Sequence, residues 1–239
     1  NSTLYYVRVA AVNSAGTGAY SASSSATPAA AGLSHVATYG NTDHLSSADW
    51  TQSSANIGAA NADRQVILCV NYYSALSAGT VSGITVGGVS ATKIAGVVRS
   101  QTVEHAAEIW GVSLASGTTA DIVVSFTDTI VDIHLDVKRL IKSGGVAAND
   151  TATAFANAGG VILNVDTTSG GSAAYCGLNI NGGTYTPPTG FTEDSEVDLN
   201  TNEWATSGHV DGTTAETPRT VTLTQSGSSL MVGCAVSWS

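Results

Sequence analysis

Five histidines, His35, His44, His105, His134 and His209, are the side chains of this chain best suited to moving a proton near neutral pH. His44 follows Asp43, His134 lies between Ile133 and Leu135, and His209 precedes Asp211 by two residues. Each could form half of an acid–base pair, and each reads equally well as a solvated or hydrogen-bonded ring, because pairing across a sheet leaves no mark in sequence. The chain carries no nucleophile elbow, HExxH helix, Walker loop or GxGxxG turn. Hydroxyl side chains are too abundant for an activated serine to stand out. The expectation is a non-enzymatic chain with no catalytic residues and no cofactor.

A metal would find its oxygen ligands in the acidic stretch from Glu193 to Glu203. Asp194, Glu196, Asp198, Asn200 and Asn202 recur at every second position, as ligands in calcium loops often do. The stretch lacks the glycine and terminal glutamate of an EF-hand loop, and a strand with alternate residues in water has the same spacing. It therefore reads as an exposed acidic loop, with Asp194, Glu196 and Asp198 the weak calcium candidates. A sugar needs flat aromatic faces beside fixed polar groups. Trp50, Tyr185 and Trp204 fall in or near expected loops and are the glycan or receptor candidates; the alternative for each is a large side chain closing a sandwich core. Trp110 and Trp238 are in phase with aliphatics and read as core. Cys69, Cys176 and Cys234 form no CxxC pair, and the last two share parity with aliphatic neighbours, so buried, unreactive thiols are expected, as in a chain folded in a reducing cytoplasm.

The elements that must position these residues are strands. Val66, Ile67, Leu68, Cys69 and Val70 run without a polar interruption. Such a strand is covered on both faces, which places it at the centre of a β-sandwich with Leu68 on the midline. Gly87-Gly88 between Ser82–Val86 and Val89–Ile94 is a two-residue hairpin signal. From Ile130 to Ile141, Val131, Ile133, Leu135 and Val137 share one parity, and Asp132, His134, Asp136 and Lys138 the other. That pattern predicts a half-buried strand with a wet face, with a bulge where the phase breaks at Arg139-Leu140. Further strands are expected at 35–39, 104–114, 121–127, 161–167, 173–180, 203–210, 219–224 and 230–238, with residues 40–64 a long polar connection. About ten strands and no helix make an all-β, antiparallel β-sandwich of jelly-roll-like type.

Hydrophobic residues make up 43% of the 239 residues and charged residues only 11%, so Ser, Thr, Asn and Gly must solvate the surface. That balance is common in extracellular adhesins and virion parts. A net charge of −10 gives no electrostatic attraction to nucleic acid or an anionic membrane. No apolar run reaches the length of a transmembrane helix. The chain opens at Asn1 without methionine, so it is expected to be processed or partial, whereas the final strand predicts a native C-terminus.

Residues 1–28 alternate with period two through Tyr5, Val7, Val9 and Ala11, then turn at Asn13 to Gly18 into a second strand at 21–26. The string T-x-Y-x-V-x-V-x-A-x-N-x-x-G resembles the last two strands of a fibronectin type III module, with Tyr5 at the position of that family's corner tyrosine. The resemblance implies a spacer whose other strands lie upstream or whose cover comes from another chain. Residues 29–33 read as a linker and 34–239 as one β-sandwich domain. The strings IGAANADRQVILCV, ITVGGVSATKIAG, AEIWGVSLASGTTADIVVSF and GGTYTPPTGFTED resemble a β-sandwich domain of tailed-bacteriophage structural proteins. That likeness implies a virion part, a tail fibre or tail-tip component with an adhesive or host-recognition role. The partners it implies are other virion proteins, identical subunits and a host glycan or protein. Such a chain is assembled in the host cytoplasm and exposed outside. Few charged side chains guard the sheet edges, so a homo-oligomer is expected, a trimer if this is a fibre. The alternatives are a carbohydrate-binding or adhesive module of a secreted bacterial protein, a capsid decoration protein, and a glycan-cleaving enzyme, which would need two carboxylates facing across a groove.

Overall fold

The computed structural model describes residues 5–26, 32–41, 48–74, 79–100, 104–157, 159–180, 182–199, 203–227 and 230–239. His44, Asn200 and Asn202 lie outside them. The chain divides into two compact units, Asn1–Ala30 and Ala31–Ser239. In the first, Tyr5–Val7 pairs with Ser24–Ala26, and Val12–Asn13 with Gly16–Thr17. Tyr6, Val9, Val12 and Tyr20 stand exposed there, as two short hairpins have no core to bury them in.

The second unit is antiparallel β throughout, with no helix among the described residues. Its first half places Thr92–Ser100, Glu104–Ser113, Arg64–Ser74, Asp132–Ile141 and Gly32–Asn41 side by side in that order. A second sheet, Asp49–Asn56, Thr119–Phe126, Val81–Val86 and Val89–Ser90, packs over one face of it. The other half of the chain has the same arrangement. Its five-stranded sheet runs Thr192–Asp198, Glu203–Asp211, Ser172–Ile180, Leu230–Trp238 and Asp150–Ala156, and its smaller sheet Gly160–Thr167, Glu216–Gln225 and Tyr185–Thr186. Apart from the short Val89–Ser90 strand, which has no counterpart, the strands of the two halves fill equivalent places in chain order. The Ala31–Ser239 unit is thus two sandwiches of one winding, joined through their five-stranded sheets.

Three apolar layers follow from this stacking. Val66, Leu68, Val70 and Tyr72 face the first sandwich's own core with Trp50, Ile122, Val124 and Leu135. Ile67 and Cys69, on the opposite parity, meet Ala174, Cys176, Leu178, Cys234 and Trp238 across the seam between sandwiches. Val161, Leu163, Tyr175 and Val221 fill the second sandwich. Every position from Arg64 to Tyr72 is buried because both faces of this strand are covered. Full burial of one such side chain is worth about 1.5–3 kcal/mol. The Gly87-Gly88 turn forms as the sequence indicates, with φ of 58° and 77°, values that suit a tight hairpin and favour glycine. The strand after it crosses to the other sheet, where Thr92–Ser100 pairs with Glu104–Ser113.

Three expectations change. The 40–64 connection contains a strand, Asp49–Asn56, and Trp50 on it is buried. The phase of Asp132–Ile141 does not break at Arg139-Leu140, since Leu140 stays on the seam face; the irregularity lies in the neighbouring strand, where Val36 is skipped opposite the Val137–Lys138 step. The wet face of that strand is not wet. Asp132, His134, Asp136 and Lys138 are at most 1% exposed, because the second sandwich covers them.

Candidate functional site at the seam of the two sandwiches

Four ionisable side chains on one parity of one strand must find partners when a sheet closes over them. The second sandwich supplies them from two strands, Thr192–Asp198 and Glu203–Asp211. Asp136 accepts hydrogen bonds from the hydroxyls of Thr38, Ser195 and Ser207. Lys138 donates to Asp194 and, at 2.9 Å, to Ser207 Oγ. Asp194 also holds His209 Nδ1 at 2.7 Å. Asp194 reaches inward because the ladder slips between Glu193 and Ser195, a bulge that turns an edge residue toward the seam.

His134 links the two sides. Its Nε2 lies 3.0 Å from Ser195 Oγ, and its Nδ1 lies 3.3 Å from Asn71 Nδ2. The Ser195 proton goes to Asp136, so the imidazole must donate through Nε2 and accept the Asn71 amide at Nδ1. This is a neutral ring, and burial lowers its pKa accordingly, against the opposing pull of Asp136. Burial alone would raise Asp136, but the hydrogen bond from His35, the neighbouring His134 ring, the Lys138 charge and the Ser195 hydroxyl hold it well below the usual carboxylate range. Burial works against the Lys138 ammonium too, and Cys69, Asp136 and Asp194 outweigh it. Asp194 is likewise depressed in spite of burial, by His209 and Lys138. The cluster sets one ammonium, Lys138, against two carboxylates, Asp136 and Asp194, with the Thr38, Ser195 and Ser207 hydroxyls donating to Asp136.

The arrangement does not support nucleophilic catalysis. Ser195, His134 and Asp136 are the right residue types, but His134 donates to the hydroxyl it would have to deprotonate, and the carboxylate touches the serine in place of the far imidazole nitrogen. Farther along the seam, Glu203 meets Asp132. Burial, then Asp132 and Asp198, push the Glu203 carboxyl up to about 7. Beside them, His105 stacks on Tyr73 at 5.2 Å between centroids, and burial followed by Arg99 lowers its pKa to about 4. A cavity of about 220 Å³ opens next to His134, lined by Thr38, Tyr39, Gly40, His134, Val197 and Leu199.

The residues singled out in sequence go elsewhere. Trp50 is 6% exposed in the first core and Tyr185 is 6% exposed in the second, so neither offers a flat face to a sugar. The structure brings Tyr185 and Trp204 together: the Tyr185 hydroxyl donates to the Trp204 carbonyl at 3.3 Å, and Trp204 is half-buried against the same cluster. The expected acidic loop is an edge strand, Thr192–Asp198. Asp194 is committed to Lys138, Glu196 accepts the Tyr185 amide at 2.5 Å, and Asp198 points outward, so the three do not converge on one point. Among the described residues no group of three metal-ligating side chains is placed to hold an ion. The cysteines are buried and free, with Cys176 Sγ 3.3 Å from Cys234 Sγ, and burial pushes the Cys69 and Cys176 thiols well up. Sequence reasoning missed Ser195, Ser207 and Thr38, whose hydroxyls carry no signal in a chain so rich in them. Asp136 and Lys138 were visible as a pattern but not as buried. Comparison with protein-family models, with curated proteins and with solved structures finds no match to this chain.

Two outcomes follow from the network. Lys138→Met leaves Asp136 and Asp194 without their shared cation and is expected to cost about 3–5 kcal/mol in urea denaturation. The triple variant Asp136→Asn, Lys138→Met, Asp194→Asn should recover most of that loss; a triple variant no better than the single one would show that the charges themselves stabilise the seam. Glu203 in the folded chain binds its proton more tightly than the ordinary value of 4.5. Its contribution to stability is complete below about pH 4.5 and disappears as pH rises through about 7. The stability difference between the parent and Glu203→Gln, measured by denaturation from pH 4 to 8, should therefore move against the parent as pH rises, and a pH-independent difference would contradict it.

Proposed function

We propose that this chain is a non-enzymatic structural component of a bacteriophage virion, a tail-fibre or tail-tip protein with an adhesive or host-recognition role. The observation that carries the reading is the inward use of its reactive groups. Ser195, His134, Asp136, Lys138 and Asp194 bond to one another across the seam and make one body of two sandwiches. Joining domains into a stiff unit suits a part that bears load and presents a surface. The hydroxyl-rich, weakly charged surface and the likeness of the Ile57 to Asp194 strings to tailed-phage sandwich domains support the same reading, as does the likeness of residues 1–28 to the end of a fibronectin type III spacer.

Gly32–Asn41, Thr92–Ser100, Asp150–Ala156 and Thr192–Asp198 each end a five-stranded sheet. Such edges favour association with identical subunits or other virion proteins. A second reading, a carbohydrate-binding or adhesive module of a secreted bacterial protein, draws on Trp204, whose ring is half-buried where Trp50 and Tyr185 are closed in. Immunogold labelling of intact particles separates the two. Label at the tail is the expected result; label on the capsid would assign a decoration protein, and unlabelled virions beside antigen in the bacterial culture fluid would overturn the virion reading.

A further inference from the structure

The two halves of the chain are wound alike, so their seam-facing strands can be compared position by position. Setting Cys69 against Cys176 on the two central strands makes Asp136 the counterpart of Cys234, His134 of Val232 and Lys138 of Val236. One half of the seam is therefore apolar, with Val232, Cys234 and Val236 packed beside Ala107 and Ile109. The other half carries His134, Asp136 and Lys138 against Ser195, Ser207 and Asp194. The fold needs only the apolar version, as its own second copy demonstrates. Ion pairs in such a place offer little stability over well-packed hydrophobic side chains. The 220 Å³ cavity lies on the polar half, between the Gly32–Asn41 strand of one sandwich and the Thr192–Asp198 strand and Leu199 of the other.

We infer that this cavity is a binding site for a small, uncharged, predominantly apolar group, an aromatic ring or a short branched alkyl chain. Size is the first argument: an apolar cavity of about 150 Å³ accepts benzene, and 220 Å³ extends that to a ring with one substituent. The lining is the second. Val197 and Leu199 give the cavity an apolar wall continuous with the seam cluster. Polar capacity at the wall is already committed, which is the third. Both nitrogens of His134 are engaged, by Ser195 and Asn71, and the Thr38 hydroxyl bonds to Asp136. An anion would meet Asp136 behind that wall, and the Lys138 cation is held by Asp194 and Ser207. The carboxylates a cation would seek are taken, Asp136 by three hydroxyls and Asp194 by Lys138 and His209. A sugar would bury hydroxyls with few partners. The polar half thus borders a space whose neighbouring charged groups are already engaged.

The test is titration of the intact chain with four probes, followed by amide chemical shifts: phenol, benzoate, benzylamine and glucose. Phenol should saturate with shifts centred on Gly40, His134, Val197 and Leu199, while benzoate and benzylamine bind at least tenfold more weakly and glucose leaves these amides unmoved. Val197→Phe, which fills the space, should abolish the phenol response with an unchanged spectrum elsewhere. If that variant does not fold, the ranking of the four probes on the parent chain still decides. Equal or tighter binding of benzoate, benzylamine or glucose, phenol shifts centred away from the cavity, or no saturable phenol binding would overturn the inference. The virion reading is untouched by either result, since the site follows from the seam alone.

Discussion

A strand with Asp132, His134, Asp136 and Lys138 on one face cannot be buried unless something brings it partners. An unpaired ion costs several kcal/mol to remove from water, and this unit contains two fully buried charges on adjacent alternate positions, Asp136 and Lys138. The second sandwich meets that constraint with three side chains from two strands, Asp194, Ser195 and Ser207. The rest of the second unit is arranged around this match. The bulge at Glu193–Ser195 turns Asp194 inward. At the other end of the seam Asp211 accepts from the Leu33 amide at 3.1 Å and from Ser172 at 2.6 Å, tying the start of one sandwich to the second. Beside the charges, Ile67, Cys69 and Ile109 press on Cys176, Val232 and Cys234, and this apolar part gives the seam its hydrophobic attraction.

Repetition of one winding explains how such a unit can be built. Two copies of the same sandwich present the same face, and joining like faces buries both central strands on both sides. The copies then differ where they meet. On one half the side chains are aliphatic and sulfur, and on the other they are charged and hydroxylic. Since the apolar solution is available to this fold, the charged one serves something other than burial. Its consequences are a neutral histidine fixed in one tautomer and a cavity beside it.

Much of the fold was legible in the chain. The uninterrupted run through Val66–Val70 indicated a strand covered twice, and Gly87-Gly88 indicated its hairpin, because both signals are local. The second sandwich was not legible as a separate body. Its strands read as more of the same alternation, and the Ser143-Gly144-Gly145 turn at the change looks like any other turn between strands. Asp132 to Lys138 shows why the site was hidden: alternation states which residues share a face, not whether water or another sheet lies against it. The same limit applies to Trp50, which looks loop-like among Ser, Thr and Asn neighbours but sits on Asp49–Asn56 with its ring in the core. Asp194, Glu196 and Asp198 were spaced as ligands are, and a strand edge with a bulge gave that spacing another use.

If the seam makes one body of two sandwiches, neither half can open while the other stays closed. Native-state hydrogen exchange over the two central strands, Arg64–Ser74 and Ser172–Ile180, measures this directly. The amides of Leu68, Cys69, Tyr175 and Cys176 should exchange with one common free energy, equal to that of global unfolding. Exchange of one strand at a distinctly lower free energy than the other would mean two independent sandwiches in contact, and would contradict the account.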